Sequence, residues 1–235
     1  FVEGWSPISE SHWPEPFDSD PGARRGLAFE LVDAIARLSR VDWKARGLEG
    51  LGRPHGFHDR QVDRWYAHLR QFEFRKIPGL DDAGDWLRGH RPRNYQPGIM
   101  HGDYQFANVM FHHGGPARLA AIVDWEMGTV GDPLLDLAWV VMGWPDEGEV
   151  RTGGYVDYTG MPNRDDLLDH YATVSGRDVD DIDYYVVLAR FKLAIVLEGG
   201  YARYVAGRAD NPRMEAFGGV VLDLAARAAE LVRTI

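Results

Sequence analysis

The stretch that decides the fold is His101–Leu137, HGDYQFANVMFHHGGPARLAAIVDWEMGTVGDPLLDL. Two short apolar runs within it, Asn108–Phe111 and Leu119–Trp125, are separated by the glycine- and proline-containing segment HHGGP. Runs of this length around a turn segment predict an antiparallel β-hairpin. Such a pairing brings Asn108 and Asp124 to the same end of the hairpin, and it leaves the histidine pair at the far tip.

The polar residues of this stretch fit one kind of chemistry. The spacing from His101 through Asp103 to Asn108 follows the pattern His-x-Asp-x-x-x-x-Asn of a kinase catalytic loop. Asp103 can orient a substrate hydroxyl and accept its proton, whereas Asn108 and Asp124 offer the oxygen ligands that Mg²⁺ prefers. The pattern therefore predicts a metal-assisted phosphoryl transferase. The competing interpretation is that Asp103 and Asn108 only cap a turn, which both residue types favour.

Three segments carry a family resemblance. HGDYQFANVMF resembles the catalytic loop of the aminoglycoside phosphotransferase and choline-kinase-like family, IVDWE resembles its metal-binding segment, and GDPLLDLAW resembles its G-D-P-x-x-D-L-A signature. More narrowly, GLEGLGRPHGFHDRQVDRWYAHL and VDWEMGTVGDPLLDLAW look like the kinase-like domains related to those attached to acyl-CoA dehydrogenases. The resemblance implies a protein-kinase-like fold and an ATP-dependent activity, but it leaves the acceptor open.

The resemblance also implies roles for the polar residues of the stretch. It makes Asp103 the catalytic base and gives His101 a bracing role in the catalytic loop. Asn108 and Asp124 become the magnesium ligands that bridge the phosphates of ATP or GTP. Asp136 opens an apolar helix, where an unpartnered charge is unfavourable. In the resembled family such an aspartate accepts hydrogen bonds from the catalytic-loop backbone.

A second group of residues has two open interpretations. The resemblance implies that Met110 and Val123 form the floor under the adenine ring, but both can equally be core residues. Tyr104, Trp125 and Glu126 are expected on the acceptor side of the site. For Tyr104 and Trp125, packing explains the residue type at least as well as substrate contact.

Composition and charge narrow the classes of partner. The chain has 235 residues, 45% of them hydrophobic, and a net charge of −10, which is ordinary globular composition without the clustered basic residues of a nucleic-acid interface. Apolar runs long enough for a membrane helix are missing, so no membrane partner is expected. Cysteine is absent, which excludes disulfides and is compatible with the cytoplasm, our expected location. The oligomeric state stays open.

Helical periodicity dominates the rest of the chain and predicts a mainly helical α+β fold, with the hairpin as its small β part. Asp59 is the expected N-cap of the second helix. His55 and His58 could form a metal pair, but without a third ligand they are interpreted as surface groups. Residues 145–161 are interpreted as a surface loop able to close over a substrate. The predicted helices are Ala23–Arg40, Asp59–Phe74, Asp81–His90, Pro133–Trp144, Arg164–Ser175, Ile182–Gly207 and Pro212–Ile235.

The domain prediction is that residues 1–235 form the C-terminal lobe of a two-lobed phosphotransferase. A glycine-rich strand loop and a phosphate-clamping lysine, which such enzymes carry in an N-terminal lobe, are not evident upstream of Asp103. FVEG at the start resembles the sequence just after the hinge between lobes, so this chain alone is expected to be inactive. The expected acceptor is a small hydroxylated molecule, either aminoglycoside-like or another metabolite such as a hydroxyacyl thioester. A metal-dependent phosphohydrolase and a non-catalytic kinase-like binding module are the alternatives.

Overall fold

The computed structural model describes residues 1–8, 13–145 and 156–235, so most of the expected substrate-closing loop lies outside the described residues. The chain divides into two compact units, one of Phe1–Pro54 with Gln96–Val179 and one of His55–Tyr95 with Asp180–Ile235. The predicted mainly helical α+β architecture is confirmed. The elements are α1 (Pro21–Ser39), α2 (Phe57–Leu69), α3 (Leu80–Gly89), β1 (Gly98–Met100), β2 (Val109–Phe111), β3 (Leu119–Ile122), β4 (Thr129–Gly131), α4 (Leu134–Val141), α5 (Arg164–Ser175), α6 (Ile182–Val205) and α7 (Pro212–Thr234).

Among the described residues, no helix is both long enough and apolar enough to cross a bilayer.

The first unit is organised around helix α1. Asp20 caps its first turn by accepting a hydrogen bond from the Gly22 N–H at 2.8 Å, and Pro21 occupies the first helical position, where no N–H is needed. The helix therefore begins two residues before the predicted Ala23. Its buried face packs against α5, α4 and β1, which fixes the strand that leads into the candidate site.

Two small antiparallel sheets carry the polar residues of the first unit. The hairpin β2–β3 is the predicted one, with Val109 opposite Ile122 and Met110 opposite Ala121. The second sheet, in which β1 pairs with β4, was not predicted. The returning strand of the hairpin ends at Ile122 rather than Trp125, because Asp124 adopts a left-handed conformation with φ 63° that a strand cannot continue.

Trp5 forms an isolated antiparallel β-bridge with Phe111 at the edge of the hairpin. Its N–H donates to the Phe111 carbonyl at 2.9 Å, and the Phe111 N–H donates back at 2.8 Å. The indole N–H of Trp5 also donates to the carbonyl of His112, and only 2% of the residue is exposed. Trp5 is therefore part of the core. The N-terminal segment therefore supports β2, and through β2 the residues that follow the catalytic loop.

In the second unit, α6 packs along α7, and α2 and α3 pack against that pair. Two sequence interpretations need correction here. The second helix begins at Phe57 and ends at Leu69, so Asp59 lies in its first turn and is not the N-cap. His58 is not a surface histidine, because only 3% of it is exposed. Its ring is enclosed edge-on by aromatic rings, those of Phe57, Tyr95, Tyr184 and Tyr185.

A buried ion pair ties the second unit together. The Arg75 guanidinium donates to both carboxylate oxygens of Glu198, at 2.7 and 2.6 Å, and Glu198 is 1% exposed. The hydrogen bond to Glu198 raises the pKa of Arg75, so the guanidinium stays charged. Because the geometry is bidentate and one partner is fully desolvated, this pair matters more to stability than the exposed ion pairs of the chain.

We expect Glu198→Gln to lower the free energy of unfolding by about 2–3 kcal/mol, because Arg75 then keeps its partial burial without a countercharge. Urea denaturation followed by circular dichroism measures the change. Asp223→Asn, which removes the exposed pair of Asp223 with Arg227, is the matched control and should cost less than about 1 kcal/mol. Equal losses in the two variants would show that burial does not strengthen the Arg75–Glu198 pair.

Candidate functional site

The polar residues of the site lie on the loop between β1 and β2 and on the turn after β3. Gly102 is the pivot of the first segment, with φ 86°, and a Cβ on it would lie 2.7 Å from the carbonyl oxygen of Met127. Only glycine fits this backbone conformation and this close approach without strain. The loop then extends through Asp103 and closes in a 3-10 turn, Phe106–Asn108, that leads directly into β2.

Asp136, in the first turn of α4, holds the start of this loop. Its Oδ2 accepts from the His101 N–H at 2.6 Å and its Oδ1 from the Gly102 N–H at 2.7 Å. The residue is 1% exposed, so its carboxylate lies away from solvent. Two charge-assisted bonds to consecutive backbone amides fix the direction in which the loop leaves β1.

His101 links the loop to the turn after β3. Its Nε2 lies 2.8 Å from the Val123 carbonyl oxygen, and its Nδ1 accepts from the Asp103 N–H at 3.3 Å. A neutral imidazole with its proton on Nε2 satisfies both contacts. The residue is fully buried, and its ring packs at 4.9 Å from the Trp125 ring. This placement lets His101 brace the two segments against each other without contacting a substrate.

Asp103 projects from the loop with both carboxylate oxygens held by amide groups. The Asn108 Nδ2 donates to the Asp103 Oδ2 at 3.1 Å and to its backbone carbonyl at 2.7 Å. The Gln105 Nε2 donates to the Asp103 Oδ1 at 3.0 Å. The side chain of Asp103 is only partly buried, so it can be reached from solvent. A carboxylate fixed in this way can accept a proton from a hydroxyl that approaches from the open side.

The hairpin places Asp124 beside Asn108. The backbone N–H of Val123 donates to the Asn108 carbonyl at 2.9 Å, immediately before Asp124 turns into the left-handed conformation. Asp124 is exposed, and the 3-10 turn Trp125–Met127 follows it. The fold therefore brings the two predicted metal-binding residues to the same end of the hairpin, next to Asp103.

The donor atoms at this end suit a hard cation. Asn108 uses its Nδ2 on Asp103, which leaves its Oδ1 as a possible ligand, and Asp124 adds a carboxylate. In the described part of the chain, no group of three or more His, Cys, Asp or Glu side chains could hold a metal. A magnesium ion here would thus depend on phosphate oxygens and water for its other ligands, which is the usual arrangement for Mg²⁺ with nucleotides.

The hairpin has one buried and one open face. Val109 and Phe111 are 0% exposed and belong to the core. Side chains alternate along a strand, so Met110 points to the other face together with its partner Ala121. Met110 is half-buried, and Val123, beyond the end of β3, is 38% exposed. An apolar surface next to the polar site is therefore available, as a floor under a planar ring requires.

The three residues expected on the acceptor side differ from one another in exposure. Tyr104 is 0% exposed and its hydroxyl donates to the Leu31 carbonyl at 2.9 Å. Burial also raises its pKa well above the usual value, so the phenol stays neutral. This placement favours the packing interpretation, and we propose no substrate contact for Tyr104. Trp125, 41% exposed with its indole N–H on the Ile122 carbonyl, and Glu126, also exposed, do face solvent.

One residue of the site was missed by sequence reasoning. Gln105 contacts the carboxylate of Asp103, yet glutamine belongs to none of the motifs in the sequence that predict the site. Its separation of two residues from Asp103 in an extended loop was the available signal, because alternate side chains of an extended backbone point to the same side.

Comparison with known protein families and curated proteins gives consistent matches. The model of the phosphotransferase enzyme family matches residues 12–169. Acyl-CoA dehydrogenase family member 11 from Gallus gallus is 30% identical over 222 residues, which are 91% of this chain and 28% of that protein. The Homo sapiens protein of the same name is 28% identical over 211 residues, covering 87% of this chain and 27% of the relative. The chain therefore spans little more than a quarter of these relatives.

Solved structures show the same fold. A crystal structure from Ralstonia eutropha JMP134, described as a candidate aminoglycoside phosphotransferase, matches with a TM-score of 0.85 and 29% identity, over 100% of this chain and 71% of that one. A spectinomycin phosphotransferase solved with ADP and spectinomycin has a TM-score of 0.58 at 14% identity, over 98% of this chain and 70% of that one. The second match shows the fold alone. Together the matches confirm the resemblance and the kinase-like fold predicted from the sequence.

Proposed function

Because this chain belongs to the phosphotransferase enzyme family, we propose that it transfers the γ-phosphoryl group of ATP to a hydroxyl of a small molecule. The observation that carries the proposal is the cluster at the open end of the hairpin. There Asn108 holds the partly exposed carboxylate of Asp103 at 3.1 Å, and the backbone bond from Val123 to Asn108 sets Asp124 beside both. This arrangement supplies a proton acceptor and two oxygen ligands within one rigid segment.

In the proposed reaction Asp103 orients the acceptor hydroxyl and takes its proton. The acceptor oxygen forms a bond to the γ-phosphorus while the bond from that phosphorus to the β–γ bridging oxygen breaks, so ADP leaves. Asn108, through Oδ1, and Asp124 would hold magnesium, which would neutralise charge on the phosphate oxygens. His101 and Asp136 act by holding the loop in place. Met110 and Val123 form the floor under the base of the nucleotide.

We also propose that the chain works as the C-terminal lobe of a two-lobed protein. In support, the described residues upstream of Asp103 contain no strand pair with a glycine-rich loop to cover the phosphates. The Ralstonia structure is longer than this chain, which covers 71% of it. Intact mass of the source protein tests the proposal: a mass well above 26.5 kDa is expected, and a mass equal to it would favour a non-catalytic binding module.

The acceptor is proposed only as a class. The structural neighbours include phosphotransferases for spectinomycin and for macrolides and a choline kinase from Streptococcus pneumoniae, so the fold serves chemically different hydroxyl compounds. Exposed Trp125, whose ring lies 4.9 Å from that of His101, and exposed Glu126 suit an acceptor with an apolar or cationic face beside its hydroxyl. Aminoglycosides and hydroxyacyl thioesters are the first two groups to screen, with ATP and GTP as alternative donors.

Magnesium-dependent nucleotide binding tests the metal ligands. In the full-length source protein, Asn108→Ala and Asp124→Ala should each weaken Mg-ATP binding at least tenfold, roughly as loss of a metal-site group does elsewhere. Binding of ATP with EDTA should change little, because only the metal-bridged contact is lost. Isothermal titration calorimetry measures both affinities, and Asn94→Ala, at an exposed asparagine, is the matched control.

Each alternative function predicts a different result, in a phosphate-release assay or in the binding measurement. Release of phosphate from a phosphate ester without ATP would support the phosphohydrolase. Folded protein that binds no nucleotide with or without magnesium would support the binding module. Mg-ATP binding that is equal in wild type, Asn108→Ala and Asp124→Ala would contradict the assignment of these two residues as metal ligands.

A further inference from the structure

Gln105 lies in the middle of the loop from Asp103 to Asn108, and nothing in the proposed reaction uses it. Its backbone is extended, with φ −162° and ψ 172°, immediately before the 3-10 turn. Its carbonyl accepts from the Asn108 N–H at 2.9 Å, which closes the turn. Its side chain lies beside that of Asp103, where the Gln105 Nε2 reaches the Asp103 Oδ1.

The two oxygens of the Asp103 carboxylate are therefore held by two different amides. Gln105 donates to Oδ1 at 3.0 Å and Asn108 donates to Oδ2 at 3.1 Å. One donor would still let the carboxylate rotate about its Cβ–Cγ bond, whereas two donors on opposite oxygens fix its plane. Each oxygen keeps a further lone-pair direction, because a carboxylate has about four acceptor sites. The direction open to an acceptor hydroxyl is set by these two amides.

The two amides differ in what else they do. Asn108 has a second proposed task, since its Oδ1 is a metal ligand, so a change at Asn108 disturbs the base and the metal site together. Gln105 precedes the turn, and its side-chain amide donates to the Asp103 carboxylate. The orientation of the base can therefore be changed at Gln105 while Asn108 and Asp124 are left as they are.

We infer that Gln105 is a positioning residue for the proposed base: its amide N–H fixes the plane of the Asp103 carboxylate so that one lone pair faces the acceptor hydroxyl. The inference rests on the proposed function. It requires a hydrogen-bond donor at position 105, not merely a side chain of this size. Glutamate has the same shape but no donor when ionised, and it places a second negative charge beside Asp103.

The test compares Gln105→Ala with Gln105→Glu in the full-length protein, using Mg-ATP with water as the acceptor and ADP release as the readout. We expect Gln105→Ala to lower kcat about tenfold, since a misoriented base loses part of its effect, and Gln105→Glu to lower it about 100-fold. The KM for Mg-ATP should stay within about twofold in both variants, because the metal ligands are untouched. Gln105→His, which can offer a ring N–H, should recover part of the loss.

Gln71→Glu, at an exposed position, controls for the added charge and should leave kcat unchanged. If Gln105→Glu is as active as wild type or more active than Gln105→Ala, size rather than donation matters and the inference is overturned. A KM that rises while kcat is unchanged would also overturn it, because Gln105 would then serve nucleotide binding. If the wild type forms no more ADP than Asp103→Asn, the proposed function is overturned, and this inference with it. A loss of ADP formation that is confined to the Gln105 variants cannot produce that result, so the two failures are distinguishable.

Discussion

Asp103→Asn should lower the rate of phosphoryl transfer by about 10³-fold or more while the protein stays folded. Asparagine keeps the size of the side chain but cannot take a proton from the acceptor hydroxyl, and a general base of this kind contributes roughly 10²–10⁴-fold. The change is expected in kcat, because the proposed magnesium ligands Asn108 and Asp124 are not altered. Single-turnover transfer from radiolabelled ATP to an identified acceptor measures it.

The fold should tolerate this substitution. The Asp103 side chain is partly exposed, so the two amides that lose an ionised partner can turn to water instead. We expect the midpoint of thermal unfolding to stay within a few degrees of wild type. A loss of about 1 kcal/mol in the free energy of unfolding shifts the midpoint by roughly a few degrees in a domain of this size. Asp82→Asn, at an exposed position of the second unit, is the control. A loss of less than tenfold in Asp103→Asn with intact nucleotide binding would exclude Asp103 as the base.

Asp136→Ala should destabilise the protein by about 3–5 kcal/mol. The substitution leaves the N–H groups of His101 and Gly102 buried without their acceptor, and each unsatisfied amide costs about 1–3 kcal/mol. Because these bonds are charge-assisted and Asp136 is 1% exposed, water cannot replace the carboxylate. Urea unfolding followed by circular dichroism measures the change.

A matched control separates the stability contributed by these hydrogen bonds from that contributed by a negative charge at a helix N-terminus. Asp136 and Asp82 both lie in the first turn of a helix, α4 and α3, but only Asp136 accepts backbone hydrogen bonds from a distant loop. Asp82→Ala should therefore cost less than about 1 kcal/mol. If Asp136→Ala fails to fold, Asp136→Asn, which keeps one acceptor oxygen, should fold with an intermediate loss. A cost for Asp136→Ala no larger than that for Asp82→Ala would show that the loop does not depend on this carboxylate.

The sequence by itself predicted the helices and the hairpin, which depend on residues that lie close together along the chain. Each α-helix of the described residues was predicted: α1 and α2 from apolar positions that recur at intervals of three and four, and α4 from a continuous apolar run. The hairpin followed from two short apolar runs around a turn segment, so Asn108 and Asp124 could be placed at one end of it. The boundaries were less certain: β3 stops at Ile122 because the backbone turns left-handed at Asp124, and residue type alone does not specify that conformation.

Only the tertiary structure decided what depends on contacts between distant residues. Tyr104 could be a substrate contact by sequence, but the carbonyl of Leu31 on α1 lies within reach of its hydroxyl and the residue is buried. His58 was interpreted as a surface group because no third metal ligand was evident beside His55 and His58, whereas packing in the second unit encloses its ring in aromatic rings. Gln105 gained its role from the way the loop folds back on Asp103. These placements follow from which surfaces pack together, and a pattern of adjacent residues does not contain that information.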